Sequence, residues 1–215
     1  MLALHCQAIL FDLDGTLVES TSFIERLWQD WGMQHGVAPK RMSEVMHGRR
    51  AGEIIHILAP HLPLKEEVYA METTEISRMD GMKAYAGAPE LLNSLSPRQW
   101  AIVTSGSRRV ASARLNYAKL PIPEVLITAD DVRQGKPAPD AFLLAAHRLH
   151  VQPADCVVVE DAPAGVQAGK AAGMKVVGIM STLARERLAP ADVVIQQLAD
   201  MKVHATGNGI NIQFK

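Results

Sequence analysis

Gln7-Ala-Ile-Leu-Phe11, followed at once by Asp12-Leu-Asp-Gly15, decides how the rest of the chain is read. The apolar run is short and continuous, which is the pattern of a strand buried on both faces, and the polar cluster falls where the chain would leave a sheet. Comparable runs recur at Trp100-Ala-Ile-Val-Thr104, Val125-Leu-Ile-Thr128, Cys156-Val-Val-Val-Glu160, Lys175-Val-Val-Gly-Ile179 and Asp192-Val-Val-Ile195. Helical stretches at 107–120, 138–150 and 163–172 separate most of them. Strands alternating with helices predict right-handed crossovers and a doubly wound parallel sheet, an α/β fold of the Rossmann-like kind. The segment 202–215 carries Gly-Asn-Gly between two alternating stretches, which predicts a closing hairpin.

Between 17 and 82 the rhythm changes. Helical spacing dominates at 20–35, 39–46, 50–58 and 64–79, with no strand. Ile24, Leu27, Trp28 and Trp31 follow the i, i+3, i+4, i+7 pattern of one helix face, so the tryptophans are expected in the core of a small bundle. The expected organisation is a core formed by 1–17 and 83–215, with an all-helical cap, 18–82, inserted after the first strand.

Bulk properties narrow the function. The 215 residues are 48% apolar with a formal net charge of −1, which argues against a nucleic-acid partner, because backbone binding needs a basic surplus. No apolar run is long enough for a bilayer and no leader-like start is present, so a cytoplasmic protein without a membrane partner is expected. Cys6 and Cys156 have neither disulfide nor metal spacing and are read as buried thiols. The eight histidines are dispersed without an HxxxH or HExxH pattern, so a histidine metal site is disfavoured.

Asp12 and Asp14 are two apart on an extended chain, so their carboxylates project to one side, roughly 7 Å apart. Such a pair at a strand end resists joint ionisation unless a cation is close or one stays protonated. That suits a metal site combined with proton transfer. Asp14-Gly15 alone would be an ordinary turn.

Four segments together carry a resemblance. Phe11-Asp-Leu-Asp-Gly-Thr-Leu17, Val103-Thr-Ser-Gly106, Gly135-Lys-Pro-Ala-Pro-Asp140 and Val159-Glu-Asp-Ala-Pro-Ala-Gly-Val-Gln-Ala-Gly169 match, in order, the four motifs of the haloacid dehalogenase superfamily of phosphohydrolases. The chain resembles that family over about 7–195. The resemblance implies Asp12 as nucleophile and Asp14 as general acid, then base. Ser105 and the Gly106 N–H would hold phosphoryl oxygens at a strand-to-helix turn, and Lys136 would offset their charge. It further implies Mg²⁺ held by Asp12, Asp161 and the backbone carbonyl of Asp14. Glu160 would steady a metal-bound water or Lys136. One of the adjacent pair Glu160 and Asp161 is expected to face the site and the other the rim. Gly15 would permit the turn and Thr16 tie it down, while Thr104 is expected to face the sheet.

Substrate choice then falls to the cap. Glu19, at the connection, either meets substrate hydroxyls or forms a salt bridge. The segment His47-Gly-Arg-Arg50 resembles that of sugar- and polyol-phosphate phosphatases, with Arg49 reaching the substrate and Arg50 solvated. The expected activity is Mg²⁺-dependent hydrolysis of a small sugar or polyol phosphate by a two-lobed monomer. The rivals are a β-phosphoglucomutase-like mutase, a phosphatase for another metabolite such as phosphoglycolate, a dehalogenase, and a non-catalytic binding protein. The mutases carry a cap histidine at the position of Ile24, and the dehalogenases do not use an acid at the position of Asp14 for proton transfer; both points favour hydrolysis.

Overall fold

The computed structural model describes residues 3–207 and 209–215. In chain order the elements are β1 (Ala3–Cys6), β2 (Ala8–Phe11), α1 (Thr21–Gln34), α2 (Pro39–Val45), α3 (Ala51–Leu58), α4 (Leu64–Ser77), α5 (Ala88–Asn93), β3 (Trp100–Val103), α6 (Arg108–Tyr117), β4 (Leu126–Ile127), α7 (Asp140–Leu149), β5 (Cys156–Glu160), α8 (Pro163–Ala171), β6 (Lys175–Ile179), β7 (Val193–Ile195), β8 (Met201–Thr206) and β9 (Gly209–Phe214).

Six strands form one parallel sheet in the order β4-β3-β2-β5-β6-β7. Every residue of β2, β3 and β5 is buried, because helices cover both faces and leave no solvent side on which polar residues could alternate. The order reverses at β2, whose neighbours β3 and β5 belong to opposite halves of the sheet. Open α/β sheets gather their functional groups outside the carboxyl ends of strands at such a reversal. Asp12, Thr104 and Asp161 each follow immediately on one of these three strands.

The predicted strands and helices of the core are all present, with ends moved by a few residues. Two elements were not predicted. Helix α5 is one. The other is β1, which pairs antiparallel with β9, so the hairpin β8–β9 becomes a three-stranded sheet of order β1-β9-β8. The predicted run from Gln7 is therefore interrupted: Gln7 donates its N–H to Asp155 O at 2.7 Å, and the chain changes sheets there. Of the predicted Gly-Asn-Gly turn, Asn208 lies outside the described residues.

Helices α1–α4 lie between β2 and α5 and pack around their own core of Leu27, Trp28, Trp31, Met42, Val45, Met46, Ile54, Ile55, Ala59 and Met71. The bundle joins the sheet layer through two backbone stretches that run side by side. Val18 bridges Ala84, Glu19 N bonds Lys83 O at 2.8 Å, and Tyr85 N bonds Leu17 O at 2.9 Å. No helix among the described residues is long and apolar enough to cross a membrane.

Candidate active site

The strand ends bring four ionisable groups together below the cap. Lys136 Nζ donates to Asp12 Oδ1 at 2.5 Å, to Glu160 Oε1 at 2.6 Å and to the carbonyl of Val103 at 3.0 Å. All three ionisable residues are buried, so the Lys136 ammonium depends on its neighbours and not on water. Burial works to lower the Lys136 pKa, yet the two carboxylates hold it above its ordinary value. Asp12 is pushed up to about 8, chiefly by burial, with Glu160 and Asp14 adding to the rise and Lys136 opposing it. Asp161 is also raised well above the carboxylate range, by burial first and then by Glu160 and Asp12.

Asp12, Glu160 and Asp161 each offer a carboxylate oxygen, and these lie within 4.8 Å of one another. Three buried carboxylates share one ammonium, and this negative surplus adds to the rise that burial causes at Asp12 and Asp161. An all-oxygen cluster of this charge fits a hard divalent cation. Both Glu160 and Asp161 turn toward this cluster, which corrects the expectation that one would face the rim. β5 ends at Glu160, so the strand alternation no longer applies to the residue after it.

Glu160 is fixed on every side. Its Oε2 accepts the N–H groups of Asp161 and Ala162, each at 2.9 Å, while Oε1 holds Lys136. The space it fills is left by Gly165, where an added Cβ would fall 1.6 Å from Glu160 Oε1. Gly15 is required for two reasons. Its φ is +79°, and a Cβ there would meet Asp161 Oδ2 at 2.0 Å. Ser181 donates to the Gly15 carbonyl and Thr182 to Asp161; this bracing from the loop after β6 has no counterpart in the sequence motifs. Thr16 is buried, and its hydroxyl is without a hydrogen-bond partner.

The turn after β3 is already occupied by internal partners. Ser105 Oγ donates to Gly48 O of the cap at 2.8 Å, and Gly106 N–H donates to Thr104 Oγ1 at 3.1 Å. Ser107 caps α6 through Val110 N. Thr104, expected to face the sheet, is buried but spends its hydroxyl on this turn.

Asp14 reaches the cavity with both oxygens held. Ser20 Oγ donates to Oδ1 at 2.6 Å, and Arg114 donates to Oδ2. The other fork of Arg114 grips Glu75 of α4. Burial raises Glu75 above its ordinary value, with Arg114 opposing the rise. Neither residue was among the predicted site residues. A signal existed in each helix: Arg114 lies on the buried stripe Val110, Ala111, Arg114, Leu115, and Glu75 follows Met71 by one turn. A charge on an apolar stripe needs a partner.

Between sheet and cap lies a cavity of about 770 Å³, lined among others by Asp12, Asp14, Ile24, His47, Arg49 and Ser105. Arg49 is exposed and faces this space. Glu19 instead pairs with Lys83 at 3.2 Å and is not among the lining residues. Arg50, expected to be solvated, is engaged instead. It bonds Glu53 and donates to the carbonyls of Val132 (3.2 Å) and Arg133 (3.0 Å), docking the cap on the loop that carries Lys136.

Residues 6–173 match the family model of haloacid dehalogenase-like hydrolases. The chain belongs to this family. It is 43% identical over 211 residues to hexitol phosphatase A of Escherichia coli, covering 96% of this chain and 98% of that one. It is 35% identical to glycerol-1-phosphate phosphohydrolase 1 of Saccharomyces cerevisiae, covering 94% and 86%. Among solved structures it is similar to a hydrolase from Pseudomonas syringae, with a TM-score of 0.77 and 28% identity over 91% of this chain and 95% of that one.

Proposed function

We propose that the protein is a Mg²⁺-dependent phosphatase that hydrolyses small sugar or polyol phosphates through an aspartyl-phosphate on Asp12. The observation that carries this reading is the contact of Asp12 with Lys136 inside the buried acidic cluster, at the floor of a cavity between sheet and cap that His47 and Arg49 also line. The named activities of the polyol-phosphate relatives support the same substrate class.

One oxygen of Asp12 attacks phosphorus while the bond to the substrate oxygen breaks, and Asp14 gives that oxygen its proton. Water then attacks phosphorus, passes a proton to Asp14 and breaks the Asp12–phosphorus bond, releasing phosphate and restoring the carboxylate. Lys136 neutralises charge on Asp12 and the phosphoryl oxygens, and Ser105 with the Gly106 N–H binds those oxygens once the substrate displaces their internal partners. Asp12, Asp161 and the Asp14 carbonyl would hold Mg²⁺, with Glu160 keeping Lys136 in place. The cation would supply positive charge against the phosphoryl oxygens.

Arg49, His47 and the other polar lining groups suit a hydroxyl-rich anion. Ile24 presents an apolar wall where the mutases carry their histidine, which supports net hydrolysis. The test is phosphate release from a panel of hexitol phosphates, glycerol phosphate, hexose phosphates, phosphoglycolate and nucleotides, with and without chelator. Chelator-sensitive turnover, highest on the polyol or sugar esters, is expected; a nucleotide preference would overturn the substrate assignment.

A further inference from the structure

We propose that Arg114 is a positioning residue: it fixes Asp14 in its working orientation when the cap is seated, and Glu75 is the cap's half of that latch. The inference rests on the reading of Asp14 as the proton donor and acceptor.

Arg114 is 4% exposed and belongs to α6 of the core. A guanidinium taken from water must be compensated by fixed partners. The two it has come from opposite layers: Asp14 from the turn after β2, and Glu75 from α4 of the cap. A guanidinium holds two carboxylates in a set relative geometry because its donors lie in one rigid plane, which an ammonium cannot do. Its Nε is buried without a hydrogen-bond partner, so among the described residues the bonds from Nη1 to Asp14 and from Nη2 to Glu75 orient the group.

The second oxygen of Asp14 leads to the cap as well, since Ser20 stands at the start of α1. Both oxygens are thus linked to the cap, one through Ser20 at the connection and one through the bond of Arg114 to Glu75. Arg109 makes a different contact from the same helix. It reaches Thr73 Oγ1 at 3.2 Å, Glu72 at 3.8 Å and the Tyr69 ring at 4.9 Å. That group docks α4 on α6 but touches none of the reacting residues. Only the Arg114 contact passes the position of α4 on to Asp14.

The consequence is a dependence on the leaving group. An alkyl alcohol must receive a proton as it departs, whereas 4-nitrophenolate leaves without one, so misplacing Asp14 harms the first reaction selectively. The experiment measures kcat and KM with Mg²⁺ for a hexitol phosphate and for 4-nitrophenyl phosphate. The variants are Arg114→Met, Arg114→Lys, Glu75→Leu and the double Arg114→Met/Glu75→Leu.

Arg114→Met is expected to lower kcat on the hexitol phosphate roughly 10²-fold more than on 4-nitrophenyl phosphate, with KM moving less than about threefold. Arg114→Lys should recover little of that loss. Glu75→Leu should show the same selectivity, and the double variant, which removes the buried charges together and so keeps the fold, should be no worse than Arg114→Met. Equal losses on both substrates, or losses that multiply in the double variant, would overturn the proposal while leaving the phosphatase reading intact. A wild-type protein that hydrolyses neither ester would instead remove that reading, and this inference with it.

Discussion

Ser105 Oγ donates a 2.8 Å hydrogen bond to the carbonyl of Gly48, so one hydroxyl joins the phosphate turn to the cap. On the proposed reading, a phosphoryl group entering the cavity would compete for that hydroxyl, and its binding would be coupled to the seating of the cap. Ser105→Ala is expected to reduce kcat/KM on phosphate esters about 10–100-fold, as loss of one preorganised donor does. Its thermal midpoint should stay close to wild type, because the Gly48 bond is a single polar contact of about 1 kcal/mol. Steady-state kinetics and a melting curve check the two halves separately.

Asp12 gives a pH signature. Its ordinary value is 3.8 and it stands at about 8 in the fold without a cation. A raised value means that stability is fully present below the ordinary value and is lost as pH climbs toward 8. Metal-free protein should therefore melt at progressively lower temperature from about pH 5 to pH 8. Mg²⁺ should restore the midpoint most strongly at the upper end, where it no longer competes with protons. Asp12→Asn should reduce the slope, leaving the part that the raised Asp161 contributes, and abolish turnover. Melting in chelator across that range reads the effect, and parallel slopes for the two proteins would refute Asp12 as its source.

Gly165 is predicted to be intolerant of even a methyl group. Its Cβ would occupy the place of Glu160 Oε1, and Glu160 has no free direction because Lys136 and two backbone N–H groups hold it. Gly165→Ala should destabilise the protein by about 1–3 kcal/mol, as overpacking does, and impair catalysis through Lys136. Urea unfolding and kinetics on the same preparation test this; an active, equally stable variant would show that Glu160 can move freely.

Arg50 docks the cap on the loop bearing Lys136. Arg50→Ala removes donors from the carbonyls of Val132 and Arg133. The expected result is a KM raised several-fold with kcat changed less, on the order of a lost hydrogen-bond pair. A variant with unchanged KM would show that the docking does not contribute to substrate binding.

The strand ends were legible in the sequence because burial on both faces leaves a continuous apolar run, and each run stops at its polar residues. Asp12, Ser105, Lys136 and Asp161 could be found this way, since each stands at such a stop or beside Pro137. β1 was not legible, because its four residues are largely solvent-facing and their partner β9 lies at the other end of the chain. Arg114 and Glu75 were hidden for another reason. They are 39 positions apart on two helices, and no local rule reports a pairing between layers, although a charge on each buried stripe signalled that a partner was needed. Arg50 shows the converse, a cation in an exposed-looking segment whose acceptors across the interface, the carbonyls of Val132 and Arg133, carry no sequence mark.

The bridge between Val18 and Ala84 has a consequence for the history of such chains. Where the chain departs into the helical bundle and where it returns are neighbours on paired backbone, about 5 Å apart as in any antiparallel pair. Whatever is spliced between those two points leaves the sheet's own closure unchanged, because the ends it must join are already held together. The bundle can thus be lengthened, exchanged or rebuilt while Asp12, Glu160 and Asp161, held by Lys136, Thr182 and backbone N–H groups of the sheet layer, keep their places, so the bundle and this cluster can be inherited separately.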